Sequence, residues 1–278
     1  MVLSNGSVGT SSMWTAGLRI TPLVVLCLIA LTVASAQTQQ STRTIHVFVA
    51  LADNEHQGIV PVPAHLGNGL DAERNLYWGA AAGVKTFFVR SREWSVVQCG
   101  RNATSQDVLE RCVFVHRESG VYLVADAYRG DAIQQAILGF LDAAAGGTSE
   151  DVKLLRSAKE TLAVRGGASL VAYVGHDGLM DFRLPVTPRR KDDRRRDAII
   201  LACASKQYFA EALRSSGAHP LLWTTNLMAP EAYTLKSAID GWITGESGEQ
   251  IRRRAATAYD KYQHCGLRGA MRLFATGW

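Results

Sequence analysis

Apolar runs alternate with segments of three-and-four spacing along most of this chain. TIHVFVALA (44–52) is almost continuously apolar, as a strand covered on both faces should be. WSVVQC (94–99), VLERCVFVHR (108–117) and GVYLVADAY (120–128) predict further strands, the first two separated by a polar loop. The apolar starts of LVAYVGHDGLMDF (170–182) and AIILACASKQYF (198–209), and PLLWTTN (220–226), predict three more. RGDAIQQAILGFLDAAAGG (129–147) has helical spacing, with Asp131 as a cap and Gly146 and Gly147 to end it. The stretches 149–167, 229–245 and 247–266 read as helices, and 72–89 carries helix-forming and small packing residues. Alternating strands and helices predict an α/β fold, a three-layer sandwich with a mainly parallel sheet.

The N-terminus has a different pattern. TPLVVLCLIALTVASA (21–36) is an apolar run that ends in Ala34-Ser35-Ala36, with Arg19 before it. This predicts a secretory signal peptide over residues 1–36 and a single α/β domain over 37–278, exported to a periplasm or the extracellular space. An uncleaved anchor is the rival reading, but the run is short of the about 20 residues that a span needs. No later segment is apolar enough to cross a bilayer, so no stable membrane span is expected after cleavage.

Charge changes this picture little. The formal net charge is +5, or +4 once Arg19 is removed, and much of it lies in PRRKDDRRR (188–196) and IRRRAA (251–256). The first is a solvated loop or an exposed processing site. No basic face with interleaved aromatics is visible, so nucleic acid is not expected as a partner. Export permits a disulfide, and Cys99 and Cys112 flank one polar loop and could pair. No C-x-x-C, H-E-x-x-H, G-x-S-x-G or P-loop occurs.

Two of the predicted strands stop abruptly at reactive side chains, His176 and Cys203. Either residue alone is most simply a turn histidine or a packed thiol. In an open parallel sheet, however, ligands bind at the carboxyl ends of the strands, and neighbours lie about 4.8 Å apart. If these strands are neighbours, thiol and imidazole leave the same rim. A thiolate could then attack a carbonyl while the imidazole handles the proton. Gly175 and Gly178 leave backbone open near the histidine, which suits N–H donation to an oxyanion.

AYVGHDG (172–178) and IILACAS (199–205) resemble the paired strand ends of the caspase-like (clan CD) cysteine peptidases, which include caspases, legumains, gingipains and separases. Ala202-Cys203-Ala204-Ser205 is similar to the legumain version in particular. The resemblance covers about 40 residues around the dyad. It implies that Cys203 is the nucleophile and His176 the acid that protonates the leaving amine. It also implies an oxyanion hole from the N–H groups of Gly178 and Cys203. The pattern departs from the family at Asp177, which stands where a glycine usually follows the histidine directly. Adjacent residues on an extended chain point opposite ways, so Asp177 is not expected to orient His176.

The long loop DNEHQGIVPVPAHLGNGLD (53–71) should reach the same rim, where Asp53 and Glu55 could bind a basic side chain. It is equally a plain surface loop. His56 and His65 match no metal-site spacing, and no metal or other cofactor is expected. Asp126, Trp223 and Thr224 lie at strand ends and could line the cleft, and Pro230 and Glu231 could simply start a helix. The resulting expectation is an exported caspase-like cysteine peptidase acting on a peptide or protein. The alternatives are an inactive caspase-like binding module and an unrelated exported α/β hydrolase using Asp53 or Asp126.

Overall fold

A computed structural model describes residues 1, 5–7, 9–12, 43–101, 105–155 and 157–278. The apolar run at 21–36, with the cleavage site expected at its end, lies outside the described residues. Contacts divide the chain into Met1–Ser41 and Thr42–Trp278, and the fold below is that of the second unit.

Eight strands form one sheet. In chain order they include β1 (Thr44–Ala50), β2 (Trp94–Gly100), β3 (Val108–His116) and β4 (Tyr122–Tyr128). A separate hairpin, β5 (Ser149–Leu154) and β6 (Ser157–Arg165), precedes β7 (Leu170–Val174), β8 (Asp197–Leu201), β9 (His219–Thr224) and the short β10 (Phe274–Ala275). The sheet order is β10-β9-β8-β7-β1-β4-β3-β2. The five strands from β9 to β4 are parallel, and β10, β3 and β2 add antiparallel edges. Cys99 and Cys112, directly opposite one another on β2 and β3, are joined by a disulfide.

The central strands are buried on both faces, which explains their unbroken apolar runs. On one face Val47, Val49, Ala172, Val174, Ile199 and Leu201 meet a helical layer. That layer comprises α1 (Val84–Arg90), α4 (Ala232–Ile243), α5 (Gly248–Gln263) and α6 (Leu267–Leu273). On the other face Phe48, Val171, Tyr173 and Ile200 meet α2 (Ile133–Ala144) and α3 (Ser205–Ser216). The result is a three-layer α/β sandwich with a mainly parallel sheet. Among the described residues no helix is long and apolar enough to cross a membrane.

Three expectations about elements need correction. Residues 149–167 form the β5–β6 hairpin rather than a helix. Val152, Leu154, Leu162 and Val164 recur at spacing two and cover Val113 and Val124 of the main sheet. Burial of that face outweighs the local helix preference of Lys, Leu, Ala and Glu. Of the stretch 72–89, read as carrying helix-forming and small packing residues, only the part from Val84 is helical, as α1, with turns before it. Asp131 does not cap α2; it sits in a preceding 3₁₀ turn and pairs with Arg129.

Candidate active site at the strand ends

β7 and β8 are parallel neighbours, with Val174 paired to Leu201 at their carboxyl ends. His176 and Cys203 each follow two residues beyond that pair. The strand order also reverses here: from β1 the chain goes first to β4 on one side and later to β7 on the other. The loops after β1 and β7 therefore diverge and leave a crevice between them. A cleft of about 280 Å³ occupies this place. Gly58–Val60 from the loop after β1, His176 and Met180 from the loop after β7, Cys203, and Leu227–Glu231 after β9 all line it.

Cys203 is held by a tight strand-to-helix turn. Ala204 takes a left-handed conformation (φ 48°, ψ 31°), and α3 begins at the next residue. Such a conformation costs a residue with a Cβ about 1 kcal/mol or more, so the surroundings must enforce it. Thr224 and Ser205, both fully buried, supply the clamp. The Ser205 N–H donates to Thr224 Oγ1 at 3.1 Å, and the Thr224 N–H donates to Ser205 Oγ at 3.0 Å. Thr224 Oγ1 also reaches the Ala202 carbonyl, and the Ala204 N–H donates to the Asn226 carbonyl at 2.9 Å. The Met228 N–H lies 3.4 Å from Cys203 Sγ. Burial raises the thiol pKa, the Met228 N–H opposes that, and the Asp177 charge adds to it. The resting sulfur is therefore a thiol.

His176 is 6% exposed, and its Nε2 lies 2.6 Å from Asp181 Oδ2. A 3₁₀ turn over Gly178–Met180 brings Asp181 back to the ring. The same carboxylate accepts the Gly58 N–H at 3.2 Å, which ties the loop after β1 to the histidine. A neutral imidazole that donates through Nε2 keeps its lone pair on Nδ1. Nδ1 has no hydrogen-bond partner among the described residues. Asp177 points into the interior: it is fully buried, Oδ1 accepts the Leu179 N–H, and Oδ2 has no partner among the described residues. Burial pushes its carboxyl up to about 7, against the Leu179 bond and with help from Asp181.

Comparisons with protein families, curated proteins and solved structures found no match.

The remaining candidates fall elsewhere. Gly178 does not line the cleft: its N–H donates to the His176 carbonyl at 3.1 Å, and a Cβ there would meet Phe182 and Ile137. Asp53 is 4% exposed, and its carboxylate holds the turn by accepting the N–H groups of Glu55 and His56 and bonding the His56 ring. Glu55 is exposed outside the cleft. Asp126 is fully buried and chelated by Arg111 Nε and Nη2 at 2.6 and 2.7 Å. Trp223 packs under Trp278, and Thr224 serves the Cys203 turn. Sequence reasoning missed Asp181, the Met228 amide, and Tyr77, which also lines the cleft. Asp181 had a readable signal, a second acidic residue beyond a glycine in His176-Asp177-Gly178-Leu179-Met180-Asp181. Tyr77 and Met228 had none, because they come from remote elements.

Proposed function

We propose that this chain is an exported cysteine peptidase of the caspase-like kind, with Cys203 as nucleophile and His176 as proton carrier. One observation carries the reading: thiol and imidazole follow two residues beyond paired positions on neighbouring strands and open onto one cleft. Cys203 Sγ gives its proton to the imidazole and attacks the substrate carbonyl carbon. The C–N bond then breaks as the imidazolium passes that proton to the leaving amine. Water attacks the resulting thioester, and the acid product leaves as Sγ regains a proton through His176. Asp181 holds the ring and offsets its positive charge between these steps. The Cys203 N–H remains as oxyanion donor, since the Gly178 N–H is already bonded.

The thiol that burial keeps protonated also suits a second reading, a binding module that uses the same cleft without reacting. A peptide-based electrophile separates the two. In a Cys265→Ala background, which removes the exposed thiol, the reagent should modify Cys203, and Cys203→Ser should abolish labelling. Equal labelling of both proteins would refute the peptidase reading. A folded protein that binds peptide but resists the reagent would support the second.

A further inference from the structure

The cleft is apolar along most of its wall, through Ile59, Val60, Leu76, Met180, Leu227 and Met228. Among the described residues no lysine or arginine lines it, and Glu231 is its one acidic side chain. Glu231 stands at the N-cap of α4 but makes no capping hydrogen bond, so its carboxylate is not spent on the helix's backbone N–H groups. Oε2 accepts the Tyr233 hydroxyl at 2.7 Å and Gln263 Nε2 at 3.1 Å, both neutral donors. Oε1 has no partner, and Glu231 forms no ion pair among the described residues. Tyr233 and Gln263 thus fix the carboxylate in place without cancelling its charge. The other titratable groups facing the cleft do not cancel it either. Tyr77 is buried and protonated, Cys203 is a thiol, and His176 is bonded to Asp181.

An apolar channel with one fixed negative charge matches a side chain with a methylene stem and a cationic tip. We propose that Glu231 selects lysine or arginine immediately before the bond that is cut. This inference rests on the peptidase reading and names its substrate class. A basic preference was expected from Asp53 and Glu55; the cleft carries its carboxylate at Glu231 instead.

The test compares two peptidyl acyloxymethyl ketones that end in lysine or in norleucine, which has a similar stem and no charge. In each, Cys203 Sγ forms a C–S bond as the C–O bond breaks, the carboxylate leaves with the electron pair, and the thiol proton passes to His176. The lysine reagent should react about tenfold faster or more in the Cys265→Ala protein. Glu231→Gln should bring the ratio close to one. Added salt should narrow the wild-type ratio, an independent check if the variant misfolds. A wild-type ratio near one, or a ratio kept in folded Glu231→Gln, overturns the selection by Glu231 and leaves the peptidase reading standing. If neither reagent modifies Cys203, both fall together.

Discussion

His46 and His176 belong to adjoining strands, β1 and the end of β7, and each bonds a carboxylate through Nε2. The distances, 3.0 Å to Asp126 and 2.6 Å to Asp181, barely distinguish them. Their surroundings do. His46 lies mid-strand, Asp126 is fully buried, and the Arg165 N–H donates to His46 Nδ1 at 3.0 Å, so both ring nitrogens are used. Burial lowers the His46 pKa despite the carboxylate beside it, and the ring stays neutral. Arg111 then bridges Asp126 to Glu150, which also holds Arg165. His176 lies beyond its strand, has no partner at Nδ1 among the described residues, faces a cleft, and bonds a carboxylate that is 40% exposed. A histidine–carboxylate pair is thus no site in itself; the unused nitrogen and the open wall make the difference.

The largest expected effect breaks the closed pair. Burial opposes ionisation of Asp126, but the bonds from Arg111 and His46 outweigh it and hold the carboxyl far below its ordinary range. Arg111→Met removes its cation and leaves the charge stranded. Such a loss costs about 3–5 kcal/mol, to be read from urea unfolding. Cys203 labelling of the remaining folded protein should be unchanged. A stability loss below about 1 kcal/mol would mean that the network behaves like a surface pair.

The contrast also explains what was legible in the sequence. The parallel strands were readable because burial on both faces makes them continuous apolar runs, and their abrupt ends pointed to His176 and Cys203. The β5–β6 hairpin was not, because its residues favour helix locally and only the spacing of Val152, Leu154, Leu162 and Val164 argues otherwise. Asp126 was misplaced for a related reason: near a strand end in sequence, it is sealed by Arg111 and the hairpin, two elements that the local pattern does not bring together. Glu231 read as a helix start, and it is one. The role proposed for it in the cleft depends on a carboxylate that does not cap, which no sequence pattern reveals.

Asp177 sharpens the comparison from the carboxylate side. It is as buried as Asp126 but has no cation beside it among the described residues, and burial raises its carboxyl to about 7 from an ordinary 3.8. Between those values the unfolded chain releases a proton that the folded chain keeps. Stability from this group is therefore fully present below about pH 4 and is lost as pH rises toward 7. The difference amounts to about 4 kcal/mol. Asp177→Asn removes it, so the variant should match wild type at pH 4 and exceed it at pH 8. Thermal unfolding at the two values checks this, and parallel profiles would show that Asp177 is solvated or paired. Loss of the negative charge should also speed alkylation of Cys203 at pH 8, because that charge helps raise the thiol pKa.

The smallest effect probes the open pair. Asp181 is 40% exposed, so Asp181→Asn should cost little stability. The amide can still accept the Gly58 N–H, so the loop after β1 keeps its tie. What disappears is the negative charge that, in the proposed mechanism, offsets the imidazolium formed between thiol deprotonation and amine release. The labelling rate should fall about tenfold, the equivalent of about 1.4 kcal/mol, with the unfolding midpoint almost unmoved. Asp126→Asn should do the reverse, lowering the midpoint and sparing the labelling of whatever remains folded. If both variants behaved alike, the two pairs would differ only in burial, and the free Nδ1 of His176 would lose its claim to the chemistry.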